Sequence, residues 1–113
     1  MPAGTTAKVV LVTCGNRAEA RRIAQAVVAK RLAACVNVVS APVESIYRWK
    51  EKVVRAKEFL LVIKTTGRRL KRLKEAVLGL HSYDVPEFLV VGVAGGSREY
   101  LDWLGESVRE SGC

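Results

Sequence analysis

Residues 34–49, ACVNVVSAPVESIYRW, and residues 53–65, VVRAKEFLLVIKT, decide the fold, because together they have the composition of one long two-stranded ribbon. β-Branched and aromatic residues, which strands favour, fill the outgoing segment. Pro42 interrupts it, and since proline cannot donate to a ladder we expect a bulge or an edge position there. Residues 59–63 are apolar without alternation, which is typical of a strand covered on both faces. The ribbon is too long for the chain's own helices to cover, so we expect part of it to pack against a second copy.

Length and composition indicate one globular domain spanning residues 1–113, with flexible ends at residues 1–7 and 110–113. Half of the residues are hydrophobic, which excludes a disordered chain. No apolar run reaches the roughly 20 residues of a membrane span. The first residues lack the charged and apolar blocks of a signal peptide, so we expect a cytoplasmic protein without membrane partners. Three cysteines without paired spacing argue against a disulfide scaffold.

The segments around the ribbon alternate in type. A strand at residues 8–13 precedes a helix at 17–31, which Asn16 caps with Glu19 as the second half of a capping-box-like pair. After the ribbon we expect a helix over about 68–80, a loop at 81–87, a strand at 88–93 and a last helix capped by Ser97. This order predicts an α+β fold, a ferredoxin-like split βαβ sandwich with a long central β-hairpin and an added C-terminal helix.

Candidate chemical groups are few. One histidine and no nucleophile motif give no catalytic constellation, so the sequence does not indicate an enzyme. Cysteine and histidine suit copper and zinc, so any metal site would be sparse and would draw on the three cysteines and His81, with carboxylates such as Asp84 or Glu87 completing it. The alternatives remain open: Cys35 fits a small core residue, Cys14 is expected to be partly exposed at a strand end, and His81 fits a group that complements a helix dipole.

The basic charge and the aromatic residues do not require a nucleic-acid partner. The formal net charge is +8, but the basic residues are spread over two helices in the manner of solvated faces. An RNA-binding sheet of this fold carries aromatic residues on its central strands, whereas the segments KVVLVT and FLLVIKT are nearly all aliphatic. We therefore expect no nucleic-acid partner.

Several segments together resemble the CutA family of divalent-ion tolerance proteins. These are IAQAVVAKRLAACVN at 23–37, SIYRW at 45–49, KTT at 64–66, HSYDVPE at 81–87 and YLDW at 100–103. They occur in the family's order and spacing between about residues 9 and 108, and LAACVN, SIYRW and YLDW in combination are highly specific.

The resemblance implies a homotrimer in which the long hairpin reaches a neighbour, and a role in tolerance to divalent metals with weak binding of copper(II). It also implies an alternative, a PII-like sensor whose inter-subunit cleft holds a small anionic ligand beside Lys64. It implies no catalytic activity. By position, His81 matches the family histidine and Cys14 lies near a family cysteine. Family positions that line the inter-subunit region fall on Cys35, Tyr47, Trp49, Glu58, Lys64, Tyr83, Glu87, Tyr100 and Trp103.

This chain departs from the family pattern in places. Ser82 replaces a proline after His81, and Glu51 stands where the hairpin turn usually has glycine. Val12 occupies the position of a cysteine ligand found in some members, and Leu80 that of a second histidine. We therefore expect a less rigid loop, an unusual turn and a modified metal site.

Overall fold

The computed structural model describes residues 5–109, and the remaining residues of the predicted flexible ends, 1–4 and 110–113, lie outside them. The described elements are β1 (Ala7–Cys14), α1 (Arg17–Ala29), β2 (Cys35–Val38), β3 (Val43–Trp49), β4 (Lys52–Thr66), a 3₁₀ turn (Gly67–Arg69), α2 (Leu70–Leu80), β5 (Leu89–Gly92) and α3 (Arg98–Ser107). No helix within residues 5–109 has both the length and the apolar character needed to cross a bilayer.

The strands form one antiparallel sheet in the order β2-β4-β1-β5. Because β2 and β3 together make the outgoing side of the ribbon, this is the strand order of the ferredoxin-like α+β fold that the sequence predicts. β4 is the longest strand: its second half pairs with β1 and β2, and its first half pairs with β3 from Val43↔Glu58 to Trp49↔Lys52. The β3–β4 arm therefore projects beyond the main sheet.

Pro42 divides the outgoing side of the ribbon, as predicted. β2 ends at Val38 and β3 begins at Val43, directly after the proline. The arm closes at Lys50 and Glu51, whose φ angles of 50° and 67° are both left-handed. Two such residues fit the type I′ geometry that favours Asn and Gly, so the turn keeps the common hairpin form at a cost in backbone strain.

The core lies between the sheet and the pair α1 and α2. Alternate residues of β1 and β4 point to this side, since successive side chains of a strand face opposite ways. Buried residues of both layers make it: Val10, Val12, Ile23, Val27, Leu61, Ile63, Leu73 and Val77.

The opposite face of the sheet is apolar and largely uncovered in the single chain. Leu11 pairs with Val62 and with Leu89, which places the three side chains side by side on that face. Along β5, Leu89 is 57% exposed and Val91 is 47% exposed. An apolar patch of this kind usually marks an interface.

Within the N-terminal segment predicted to be flexible, residues 5–7 are bonded to the sheet. Thr5 Oγ1 donates a 2.8 Å hydrogen bond to the carbonyl of Val93, and Ala7 opens β1 opposite Thr66. Residues 5–7 are therefore anchored to the sheet, whereas the sequence predicted them to belong to a flexible end.

Candidate functional site

Three potential metal ligands meet where β1 ends and α1 begins. The ligand atoms of Cys14, Glu19 and His81 all lie within 4.8 Å of one another, and all three residues are buried. The structure thus brings together the two predicted metal candidates and adds a carboxylate that the sequence analysis did not assign to the site.

Cys14 is fully buried, so the expectation that it is partly exposed was wrong. β1 extends one residue further than predicted, and Cys14 pairs with Phe59 on the helix-covered side. Burial, followed by the nearby charges of Glu19 and Glu58, raises the pKa of the Cys14 thiol to about 11. The thiol is therefore neutral at physiological pH.

His81 has both ring nitrogens engaged within the protein. Nδ1 accepts a 3.1 Å hydrogen bond from the backbone N–H of Tyr83, so the ring proton sits on Nε2, which donates to the carbonyl of Thr13 at 2.7 Å. His81 follows α2 at its C-cap, but its ring is buried against β1 rather than exposed beside the helix end. These bonds fix the ring and its tautomer.

Glu19 performs only half of the predicted capping box. Asn16 Oδ1 does accept from the backbone N–H of Glu19 at 2.8 Å, which confirms the N-cap. The Glu19 carboxylate, however, accepts from the N–H and the hydroxyl of Ser82, at 2.8 and 3.1 Å. The loop after α2 is thereby tied to α1, and the serine that replaces the family proline supplies both donors. A glutamate three residues after an N-cap was visible in the sequence. The capping box explained it locally, so nothing in the sequence placed Glu19 in the ligand cluster.

A cleft of about 670 Å³ opens beside this cluster and runs along the β3–β4 arm, from Glu58 at its base to Trp49 near its tip. Five of the predicted cleft or interface residues line it: Tyr47, Trp49, Glu58, Tyr83 and Glu87. Asp84 is a further lining residue. Tyr47, Trp49 and Glu58 come from the arm, whereas Tyr83, Asp84 and Glu87 come from the loop after α2. The cleft therefore depends on packing between segments far apart in sequence.

Glu58 and Tyr83 join the two sides of the cleft. Tyr83 Oη donates a 2.9 Å hydrogen bond to Glu58 Oε2. Burial first, and then this bond, raise the pKa of the Tyr83 hydroxyl to about 12. Burial and the charge of Glu58 also raise the pKa of Glu87. The cleft is thus a confined space with negative charge.

The other predicted interface residues lie elsewhere. Cys35 pairs with Lys64 across β2 and β4, and Lys64 donates to the side chain of Asn37. Tyr100 and Trp103 contact each other on α3, with ring centroids 5.4 Å apart. Lys64 does not line the cleft beside the metal cluster.

Comparisons with known proteins agree on one family. The sequence model of the CutA1 divalent ion tolerance protein family matches residues 8–107. The divalent-cation tolerance protein CutA of Thermus thermophilus is 51% identical over 100 residues, covering 88% of this chain and 96% of that protein. The chloroplastic protein CutA 1 of rice is 45% identical over 103 residues, which cover 91% of this chain but 58% of the rice protein.

Solved structures give the same result. The Cut A1 structure from Thermus thermophilus aligns with a TM-score of 0.89 at 50% identity, covering 91% of this chain and 99% of that one. CutA1 from Oryza sativa aligns with a TM-score of 0.89 at 42% identity, covering 96% and 98% of the two chains. The match of fold, sequence and aligned length leaves one assignment: this chain belongs to the CutA family of divalent-ion tolerance proteins.

Proposed function

We propose that this chain forms a cytoplasmic homotrimer without catalytic activity, which contributes to tolerance of divalent metal ions and binds copper(II) weakly. The observation that carries the metal part is the buried cluster of Cys14, Glu19 and His81 within 4.8 Å. The chain that carries this cluster belongs to a family of divalent ion tolerance proteins.

The donor set fits a borderline or soft divalent ion. A thiolate, an imidazole and a carboxylate are ligands that copper(II) and zinc use in proteins. Cys14, Glu19 and His81 would hold the ion, but Glu19 and His81 are already hydrogen-bonded within the protein. The thiol must lose a proton from a group whose pKa is about 11, and the His81 ring must give up one of its two hydrogen bonds, to Tyr83 or to Thr13. These costs support weak binding that strengthens as pH rises.

Copper uptake by single-residue variants tests the site. Native mass spectra of the trimer with a slight excess of copper(II) should show one ion per subunit, lost in His81→Ala and in Cys14→Ala. Cys35→Ala is the matched control because its thiol lies outside the cluster. The parent protein and all variants carry Cys113→Ser, so that the third thiol of the chain cannot contribute. Full uptake by both cluster variants, or no uptake by the parent protein, would refute the site.

The uncovered sheet face supports the oligomer. Leu89 and Val91 lie exposed in a row of apolar side chains that continues onto β1 and β4. Burying such a face between subunits is favourable at roughly 25 cal/mol per Å². Light scattering after gel filtration should give a trimeric mass for the parent protein and a smaller one for Val91→Lys. Val28→Lys, at an exposed valine on the helix layer, is the control and should stay trimeric. A trimeric Val91→Lys would contradict this interface.

Two further parts of the proposal, the absence of catalytic activity and the cytoplasmic location, rest on the cysteine thiols. A neutral, buried Cys14 supports a binding role over nucleophilic catalysis, and slow alkylation by iodoacetamide at neutral pH would agree with this. Rapid labelling of Cys14 in the folded protein would contradict it.

Both cysteines among residues 5–109 are free, which supports a reducing compartment. Cofractionation with periplasmic instead of cytoplasmic markers would exclude that location.

A further inference from the structure

Ser82 supplies both hydrogen bonds that hold the Glu19 carboxylate. Its backbone N–H donates to Oε2 at 2.8 Å, and its hydroxyl donates to Oε1 at 3.1 Å. Glu19 is only 3% exposed, and within residues 5–109 no lysine or arginine forms an ion pair with it. Since a buried carboxylate is costly without hydrogen bonds, the position of this one depends on Ser82.

The hydrogen bonds around the cluster come from sequence neighbours of its ligands. Ser82 directly follows His81, so its bonds to Glu19 fix the carboxylate relative to the imidazole. Thr13 directly precedes Cys14, and its carbonyl oxygen lies 2.7 Å from His81 Nε2. These two links join β1, α1 and the loop after α2 at the place where the three ligand atoms lie within 4.8 Å of one another.

The bonds from Ser82 leave the carboxylate able to bind a cation. An ionised carboxylate has about four lone-pair sites, and Ser82 occupies one on each oxygen of Glu19. No other group among residues 5–109 donates to this side chain. Carboxylates that bind metals are commonly held by such outer hydrogen bonds, and loss of the outer partner usually weakens metal binding by roughly 10- to 100-fold.

We propose that Ser82 is a positioning residue of the metal site, which holds Glu19 beside Cys14 and His81 and so makes it available as the third ligand. This inference rests on the proposed function, because it concerns the cluster assigned there to copper(II). The proline of the family pattern has neither an N–H nor a hydroxyl to donate. The use of Glu19 therefore follows from the serine of this chain.

Calorimetric titration of the intact oligomer with copper(II), in the Cys113→Ser background, tests the role of Ser82. Ser82→Ala removes the hydroxyl and should weaken affinity about tenfold, and Ser82→Pro removes both donors and should weaken it further. The proline fits the local backbone, since His81 has the extended conformation, with ψ of 142°, that a following proline requires. Ser82→Thr keeps both donors and should retain the parent affinity. Ser107→Ala, which removes a hydroxyl bonded to the carbonyl of Trp103 on α3, is the control and should leave it unchanged.

A double-mutant cycle separates positioning from a general structural effect. Because Ser82 acts through Glu19, Ser82→Ala should weaken copper binding no further once Glu19→Ala is present. Hydrogen exchange of the metal-free protein gives a second readout. The amide of Ser82 should be protected in the parent protein and should exchange faster in Glu19→Ala, because its acceptor is then missing.

The outcomes distinguish this inference from the metal function itself. Parent-like or tighter copper binding by both Ser82→Ala and Ser82→Pro would overturn the positioning role while leaving the metal site in place. An equal loss from Ser82→Ala with and without Glu19→Ala would also overturn it, because Ser82 would then act on the fold and not on the ligand. Absence of copper binding by the parent protein would refute the metal function, and the role of Ser82 with it.

Discussion

Tyr83 Oη lies 2.9 Å from Glu58 Oε2 and donates its hydrogen to that carboxylate, joining the loop after α2 to the strand that carries the arm. The same loop is held to α1 through Ser82 and Glu19, and to β1 through His81 and Thr13. Three segments distant in sequence thus fix one loop, and that loop supplies part of both the ligand cluster and the acidic cleft.

Removing the Tyr83 hydroxyl should destabilise the protein. Tyr83→Phe leaves the buried Glu58 carboxylate without its hydrogen bond, so the free energy of unfolding should fall by about 1–3 kcal/mol per subunit. Urea denaturation at fixed protein concentration measures this. Tyr100→Phe removes a hydroxyl from an exposed residue of α3 and should have little effect. Equal loss in the two variants would mean that the bond to Glu58 contributes nothing specific.

Glycine at the tip of the arm should stabilise it. Glu51 has φ of 67°, a left-handed conformation that costs a residue with a Cβ roughly 1 kcal/mol. Glu51→Gly should therefore raise the free energy of unfolding by about that amount, and Lys50→Asn added to it should complete a favoured Asn-Gly turn. Glu44→Gly, in the extended strand β3, should instead destabilise. A loss of stability in Glu51→Gly would show that the strain is compensated by the glutamate side chain.

Arg31 offers a second test of backbone strain, at the end of α1. Its φ is 59°, and its N–H bonds to Val28 while the N–H of Leu32 bonds to Val27, which is the Schellman pattern of a helix C-terminus. Arg31→Gly should raise the free energy of unfolding by about 1 kcal/mol. A higher midpoint of thermal unfolding would show this gain. At the preceding residue, Lys30→Gly, with φ of −86°, should give no such gain. Equal stabilisation by Arg31→Gly and Lys30→Gly would contradict the assignment of backbone strain to Arg31.

The Cys14 thiol should make stability fall at alkaline pH. In the unfolded chain it ionises near its ordinary pKa of 9.0, and in the folded chain near 11. Between these values the unfolded state binds fewer protons, so rising pH favours unfolding. The contribution of the buried thiol should decline by about 1 kcal/mol per subunit between roughly pH 8 and pH 10.

Urea denaturation of the parent protein and of Cys14→Ala at several pH values measures this contribution. The stability difference between the two should shrink as pH rises, whereas the difference between the parent and Cys35→Ala should not follow the same course. A pH-independent difference for Cys14→Ala would show that the thiol ionises alike in both states.

The sequence by itself determined the order of elements, because that order depends on local properties. Alternating and continuous apolar runs predicted the strands, Pro42 predicted the break between β2 and β3, and Asn16 and Ser97 predicted the starts of α1 and α3. Family positions marked His81 and Cys14 as separate metal candidates, and the structure places them in one cluster.

Only the tertiary structure decided what surrounds those residues. The sequence presented Glu19 as a local capping residue, but its carboxylate serves Ser82, which is distant in sequence and reaches it only after α1 and α2 pack together. Cys14 became buried because β1 continues by one residue and alternation turns its side chain toward the helices. The acidic cleft likewise arises where the arm meets the loop after α2. Local patterns specify elements, but burial and charge environment depend on contacts between elements, which a single sequence does not record.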